Sequence, residues 1–228
     1  MICPAPEVTR VEGIFMIKKF VVITGVTGSG KSTLAQALYG RFDYSVLLSV
    51  DIVKEWINDM LHYCNTNEKN RNKELAFELF ETLLVEHMKR NTQMIIIEYP
   101  FRKKWASLFR NLSDKYGYEY IVINVCGADC DLVWNHLNKR NLSSDRHPSH
   151  SRAESYNVRD NTSYVPSNEV DYAEFKEDYT AGTFTSLEGD YTYTFKNTYG
   201  LFDVEELAKL WRLVDEQSIQ GKNQICFP

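Results

Sequence analysis

The residues with the clearest chemical signature lie in a glycine-rich turn, GVTGSGKST, at positions 25–33. Gly25, Gly30, Lys31 and Ser32 fit the pattern G-x-x-x-x-G-K-[ST] without a mismatch. Glycines let successive backbone N–H groups approach phosphate oxygens with no Cβ in the way. A helix that follows such a turn directs the positive end of its dipole at the same anion. The turn therefore predicts a site for a nucleoside triphosphate.

The side chains of this loop have separate expected roles. Lys31 would reach the β- and γ-phosphates, and the Ser32 hydroxyl is suited to ligate Mg²⁺, so ATP and Mg²⁺ are the expected cofactors. A chance match is the alternative, but the apolar run FVVIT before the turn and a helical pattern after it supply the required context. The predicted nucleotide-binding residues are Gly25, Thr27, Gly28, Ser29, Gly30, Lys31, Ser32 and Thr33.

A carboxylate follows the second predicted strand directly, at Asp51 in LLSVDIVKEW. Because the carboxyl ends of parallel strands share one crevice, Asp51 should face the phosphate loop. There it would accept a proton from a substrate hydroxyl, or orient that hydroxyl, during phosphoryl transfer. A helix N-cap is the other interpretation, and the two roles are compatible. Lys54, one turn onward, contacts either substrate or solvent.

A second carboxylate, Glu98, ends the apolar strand MIIIE. Its position suits an acid that holds Mg²⁺, directly or through a water, or one that meets the substrate. A plain carboxylate at the strand end is the alternative. Arg102, four residues later, either contacts a phosphoryl group or opens the next helix.

A cationic segment follows the fifth predicted helix. It contains Arg140, Arg146, His147, His150 and Arg152. Small kinases need cations that arrive over the transferred group when a lid closes, so this segment predicts a lid. Arg140 and Arg146 join Lys31 and Asp51 as predicted catalytic residues, and a solvated basic loop is the alternative. The two histidines have no third ligand in the sequence, so no metal site is predicted there.

Apolar β-rich runs alternate with helical patterns along the chain. The predicted strands are 20–24, 45–50, 94–98, 119–125 and 191–196, and the predicted helices are 31–39, 52–62, 74–90, 102–116, 129–141 and 203–215. This alternation predicts an α/β P-loop NTPase fold, a doubly wound five-stranded parallel sheet with helices on both faces and a lid segment.

Composition and length restrict the class of protein further. The 228 residues are 43% hydrophobic and 25% charged, which is typical of a soluble globular domain. The net charge of −5 argues against broad nucleic-acid or anionic-membrane binding. No apolar run approaches the roughly 20 residues that span a bilayer. The five scattered cysteines are interpreted as reduced thiols, so a cytoplasmic location is expected.

The chain is expected to hold one domain. Residues 1–17 read as an N-terminal extension, 18–216 as the P-loop kinase domain and 217–228 as a C-terminal tail. Within the domain, the regular alternation lapses over about 142–190, which is interpreted as an elaboration that is part lid and part irregular surface.

With these motifs the sequence resembles the P-loop kinases of the nucleoside-monophosphate-kinase-like group. It is most similar to the branch of zeta toxins, chloramphenicol phosphotransferase and polynucleotide 5′-hydroxyl kinases. The resemblance spans roughly 18–152 and rests on GVTGSGKST, SVDIVKEW, IIIEYPFR and the arginines after LVWNHLNKRN. It implies that Asp51 activates the acceptor hydroxyl. Many members have arginine where this chain has Lys54, and often aspartate where it has Glu98.

The leading functional prediction is an ATP-dependent kinase that phosphorylates a hydroxyl of a small molecule. The nearest alternative is a nucleoside, nucleotide or polynucleotide 5′-hydroxyl kinase, and a polynucleotide acceptor would require a basic groove leading to Asp51. An alternative from another class is a nucleotide-binding regulatory protein without transferase activity, in which Asp51 is only a helix cap.

Overall fold

Five strands form one parallel sheet at the centre of the molecule. The computed structural model describes residues 17–127, 129–141, 147–150, 155–160, 171–181, 184, 187–198 and 204–216. The strands are β1 (Lys19–Thr24), β2 (Ser45–Ser49), β3 (Met94–Glu98), β4 (Glu119–Gly127) and β5 (Tyr191–Asn197). Their order is β2-β3-β1-β4-β5, so the strand order reverses around β1, and this reversal is where such sheets bind ligands. The predicted fold class is confirmed.

Seven helices are found among the described residues. They are α1 (Lys31–Tyr39), α2 (Val50–Leu61), α3 (Thr66–Lys89), α4 (Ala106–Tyr116), α5 (Cys130–Asn141), α6 (Tyr172–Thr180) and α7 (Val204–Glu216). No helix in the described part of the chain is long and apolar enough to cross a membrane.

Both faces of the sheet are covered, which explains why its central strands are nearly continuous apolar runs. On β1, Phe20 and Val22 pack in one core cluster with side chains of α3 and α4, such as Phe80 and Phe109. The alternate residues Val21 and Ile23 pack in a second cluster, with side chains of α1 and α7. All six residues of β1 are buried, so the phosphate loop is attached to a strand at the centre of the core.

Two helical segments, α3 and α6, exceed the prediction because their first turns are polar. The helix predicted from residue 74 begins at Thr66, where Asn65 accepts a hydrogen bond from the Glu68 N–H and Glu68 accepts one from the Cys64 N–H. This reciprocal cap supports a start that apolar periodicity does not reveal. Likewise α6 lies inside the segment expected to be irregular, and its Asp171 side chain accepts from the Glu174 N–H.

The interpretation of Asp51 as a helix N-cap is wrong. Helix α2 begins at Val50, its N-cap residue is Ser49, and Asp51 lies within the first turn. A carboxylate at that position still interacts favourably with the helix dipole. However, it does not occupy the capping position, so its side chain is available to the cavity beside it.

Candidate active site

The phosphate loop connects β1 to α1 and needs glycine for two physical reasons. Gly25, Gly28 and Gly30 have φ values of 145°, 88° and 94°, a region that side chains disfavour. In addition, a Cβ at Gly25 would lie 2.2 Å from the Val125 carbonyl oxygen, and one at Gly30 would lie 2.2 Å from Asn197 Nδ2. The loop therefore holds the cradle shape that a phosphate group requires.

The end of β5 supports the phosphate loop. Asn197, at the end of β5, donates a hydrogen bond of 2.9 Å from Nδ2 to the Ser29 carbonyl. This amide therefore fixes the backbone of the loop from the end of β5. The Ser29 hydroxyl is fully buried and has no hydrogen-bond partner among the described residues. Thr27 and Gly28 are half-buried in the turn, whereas Thr33 is exposed on α1.

Lys31 is buried at the start of α1, and its Nζ donates to the Val26 carbonyl at 2.8 Å. Burial lowers the pKa of Lys31 to about 8, although the charges of Glu98 and Asp51 oppose that change. Arg140 acts on Lys31 in the same direction as burial. Lys31 is thus a buried cation at the start of the helix that follows the phosphate loop, as expected of a phosphate-binding lysine.

The lowered pKa of Lys31 predicts a pH dependence for nucleotide binding. Phosphate favours the ammonium form of Lys31. The affinity for ATP should therefore be constant below about pH 8 and fall by about tenfold per pH unit above it. With an ordinary lysine pKa of 10.5 the affinity would stay flat to about pH 10. Calorimetric titration of ATP between these pH values checks the prediction. A flat profile would contradict it, and Lys31→Arg, whose guanidinium does not titrate, is the control.

Glu98 is buried at the end of β3, level with the ends of the adjacent strands. Its backbone pairs with Ile23 of β1 and with Ser49 of β2. Its Oε2 accepts from the Ser32 hydroxyl at 3.2 Å, and its Oε1 accepts from the Ser49 hydroxyl at 2.5 Å. A carboxylate and a hydroxyl placed together beside the phosphate loop are the hard oxygen donors that Mg²⁺ prefers. The residues therefore fit this ion.

Asp51 lies across the same cavity and is held as an anion. Its Oδ1 lies 3.2 Å from Lys54 Nζ and 3.9 Å from His150 Nδ1. Desolvation acts to raise the pKa of Asp51, but Lys54, His150 and Lys31 together outweigh it, and the pKa is lowered. A carboxylate with such a pKa is well suited to orient a hydroxyl.

Lys54 has a defined place that its sequence position did not reveal. Its ammonium donates to the Tyr99 hydroxyl at 2.7 Å and lies 4.1 Å from the centre of that ring. It also lies 5.4 Å from the centre of the Phe77 ring. Lys54 therefore joins Asp51 to the segment after β3, and it positions that carboxylate.

The two histidines of the predicted lid pack against α2. His150 Nε2 lies 2.7 Å from Glu55, and His147 Nε2 lies 2.9 Å from Asp59, which also accepts from the Tyr156 hydroxyl at 2.6 Å. These contacts bring the 147–150 turn to the cavity mouth. The predicted catalytic Arg146, together with Arg152, lies outside the described residues.

These side chains surround one cavity of about 340 Å³. It is lined by Ser32, Gln36, Leu47, Ser49, Asp51, Ile52, Glu55, Glu98, Arg140, His147 and His150. The structure thus brings together Ser32, Glu98, Asp51 and Arg140, which sequence reasoning had selected from four separate segments. Glu55 also lines the cavity. In the sequence, only its spacing of four residues from Asp51 indicates a shared helix face.

The fold and this loop define a P-loop nucleotide-binding domain. A family model described as an AAA domain, AAA_33, matches residues 20–160, and the protein belongs to that family. No curated protein matches the sequence at a significant level.

Solved structures share the fold. An inferred kinase from Chloroflexus aurantiacus J-10-fl is 21% identical, with a TM-score of 0.68 over 87% of this chain and 97% of that one. The tunicamycin resistance protein of Deinococcus radiodurans is 9% identical, with a TM-score of 0.50 over 87% of this chain and 95% of that one. Both are similar in architecture, which extends over nearly the full length of each structure.

Proposed function

We propose that the protein is an ATP-dependent, Mg²⁺-requiring kinase that transfers the γ-phosphoryl group to a hydroxyl of a small molecule. One observation carries the proposal: Asp51 lines the same cavity as Ser32, Glu98 and Arg140. A cavity that joins a phosphate-loop hydroxyl to a second carboxylate has room for an acceptor beside the nucleotide. A protein that only binds nucleotide has no need of the part of the cavity next to Asp51.

The chemistry that follows is an in-line displacement. The acceptor oxygen forms a bond to the γ-phosphorus while the bond from that phosphorus to the β–γ bridging oxygen breaks. The hydroxyl proton passes to Asp51, whose low pKa makes it chiefly an orienting group early in the reaction. Lys31 stabilises charge on the leaving side. Mg²⁺, when bound, would be held by Ser32 and Glu98 and would neutralise phosphate charge.

Arg140 is proposed to stabilise the transferred phosphoryl group. It is exposed at the end of α5 and lines the cavity near Lys31. Arg140→Ala should therefore lower kcat by about tenfold or more while changing the KM for ATP little, because the contact is made chiefly in the transition state. Steady-state kinetics measure this effect. The adjacent exposed cation provides the control Lys139→Ala, and equal kcat values in both variants would contradict the role.

Within kinases, the branch of zeta toxins, chloramphenicol phosphotransferase and polynucleotide kinases is proposed as the nearest functional relative. The support is the sequence SVDIVKEW, which places Asp51 in the cavity. A nucleoside, nucleotide or polynucleotide kinase is the second candidate, and the cations beside Lys54 described below favour the phosphate-bearing acceptors among these.

The test is ATP consumption in the presence of single acceptors. Nucleosides, sugars, sugar acids, sugar phosphates, aminoglycosides, chloramphenicol and 5′-hydroxyl oligonucleotides are each added with Mg²⁺. Acceptor-dependent ADP formation with a phosphorylated product supports the proposal. Tight ATP binding with no acceptor-dependent turnover across the panel would favour the regulatory protein instead.

A further inference from the structure

Lys54, which contacts Asp51, is one of four neighbouring cations on α2, α3 and the segment after β3. We name Lys54, Lys73, Arg102 and Lys104 the basic cluster. Partial burial and then the charges of Lys54, Lys104 and Arg102 lower the pKa of Lys73, so these three cations lie close enough to act on Lys73. The cluster draws on three segments that are distant in sequence, so it is a product of the fold.

A group of aromatic rings lies between two members of the basic cluster, Lys54 and Lys104. The Phe77 ring centre lies 5.4 Å from those of both Tyr99 and Trp105. Lys54 lies over the Tyr99 and Phe77 rings, and Lys104 lies 5.8 Å from the centre of Trp105. These rings contact Lys54 and Lys104 without neutralising their charges.

Most of these charges have no carboxylate partner. Lys73, Arg102 and Lys104 are exposed, and none forms an ion pair with a carboxylate in the described part of the chain. Unopposed cations repel one another, so their gathering is unfavourable until an anion joins them. The protein as a whole carries a net charge of −5, which makes a local excess of positive charge more informative.

One member of the basic cluster forms an ion pair with Asp51, the proposed contact of the acceptor hydroxyl. Lys54 is its innermost member, and its ammonium contacts Asp51 at 3.2 Å. An acceptor whose hydroxyl lies at Asp51 would therefore extend its other end toward the remaining cations. Arg102 would suit a planar, bidentate anion, whereas the lysines act as point charges.

We propose that the acceptor carries an anionic group, either phosphate or carboxylate, which the basic cluster binds while the acceptor hydroxyl lies at Asp51. This inference rests on the proposed function and specifies the class of its substrate. A neutral acceptor would leave the exposed cations uncompensated.

Protection of individual lysines from acetylation tests this site without any need for catalysis. The full-length protein is saturated with Mg²⁺ and ADP, so that the phosphate loop is occupied, and the acetylation of each lysine is quantified by mass spectrometry. Inorganic phosphate, glucose 6-phosphate, gluconate and glucose are compared at constant ionic strength set with sodium chloride. Lys115, an exposed lysine in the last turn of α4, is the internal control.

We expect an anion to slow the acetylation of Lys73 and Lys104 by at least about threefold, with Lys115 unchanged. Protection by the phosphates alone assigns a phosphate-bearing acceptor, and protection by gluconate alone assigns a carboxylate. Equal acetylation rates with and without every anion would overturn the proposal. So would protection by sodium chloride to the same extent, because that would be ionic screening.

Acceptor kinetics separate this inference from the kinase proposal itself. Lys73→Gln and Arg102→Gln should each raise the KM for the acceptor by about 10- to 100-fold while leaving the KM for ATP unchanged. Lys115→Gln is the matched control. Protection by an anion without transfer to any acceptor would support the anion site and contradict the kinase proposal. Transfer to a neutral acceptor at full efficiency by both variants would contradict the anion site and support the kinase proposal.

Discussion

Replacing Asp51 with asparagine should lower acceptor phosphorylation by roughly 100-fold or more, because the variant can no longer take the proton or present a negative charge to the hydroxyl. The side chain keeps its shape and its place in the first turn of α2. Losing its interaction with the helix dipole costs about 0.3–1 kcal/mol, and losing the half-exposed ion pair with Lys54 costs about as much, since the amide oxygen still accepts from that ammonium. The melting temperature and the affinity for ATP should therefore stay close to those of the wild type.

The comparison needs a control with the same chemical change elsewhere. Asp43 is exposed in the turn before β2, so Asp43→Asn removes one carboxylate without touching the cavity. Thermal unfolding, ATP titration and phosphoryl transfer are measured on both variants. If Asp51→Asn melts early yet transfers phosphate at the full rate, Asp51 has a structural role only.

Replacing Lys31 with alanine should lower ATP turnover by about 100- to 1,000-fold and weaken triphosphate binding, since one preorganised cation is removed from the developing charge. The fold should persist. Burial already lowers the pKa of this ammonium to about 8, so its removal relieves a desolvation cost.

Isothermal titration and steady-state kinetics measure the two effects of Lys31→Ala, and thermal unfolding checks the fold. Lys115→Ala, at an exposed position on α4, controls for the loss of one positive charge. Undiminished ATP affinity together with undiminished turnover would contradict the role of residues 25–33 in binding the triphosphate.

The parts of the site that sequence predicts are those whose chemistry is local. The loop at 25–33 combines special backbone angles with a fixed spacing, so its shape and role follow from nine residues. Asp51 and Glu98 follow because each comes at the end of a recognisable apolar strand in a parallel sheet. The pairing of Ser32 with Glu98 is the direct consequence.

The parts that sequence does not predict depend on packing between distant segments. The Lys54–Tyr99 bond joins residues 45 positions apart, and the His147–Asp59 pair joins residues 88 apart. No local pattern indicates which partner a surface cation will meet. The same limit applies to the basic cluster, whose members appear individually as ordinary solvated lysines and arginine.

The proposed kinase transfers a phosphoryl group within one cavity, from ATP at the phosphate loop to a hydroxyl held at Asp51. Its most direct test follows a γ-labelled ATP phosphoryl group into an acceptor, with wild type, Asp51→Asn and Asp43→Asn compared at saturating ATP. We predict a labelled phosphate ester with the wild type and Asp43→Asn, and at least about a 100-fold slower rate with Asp51→Asn. Label that appears only as inorganic phosphate, or ester formed by Asp51→Asn at the wild-type rate, would contradict the account.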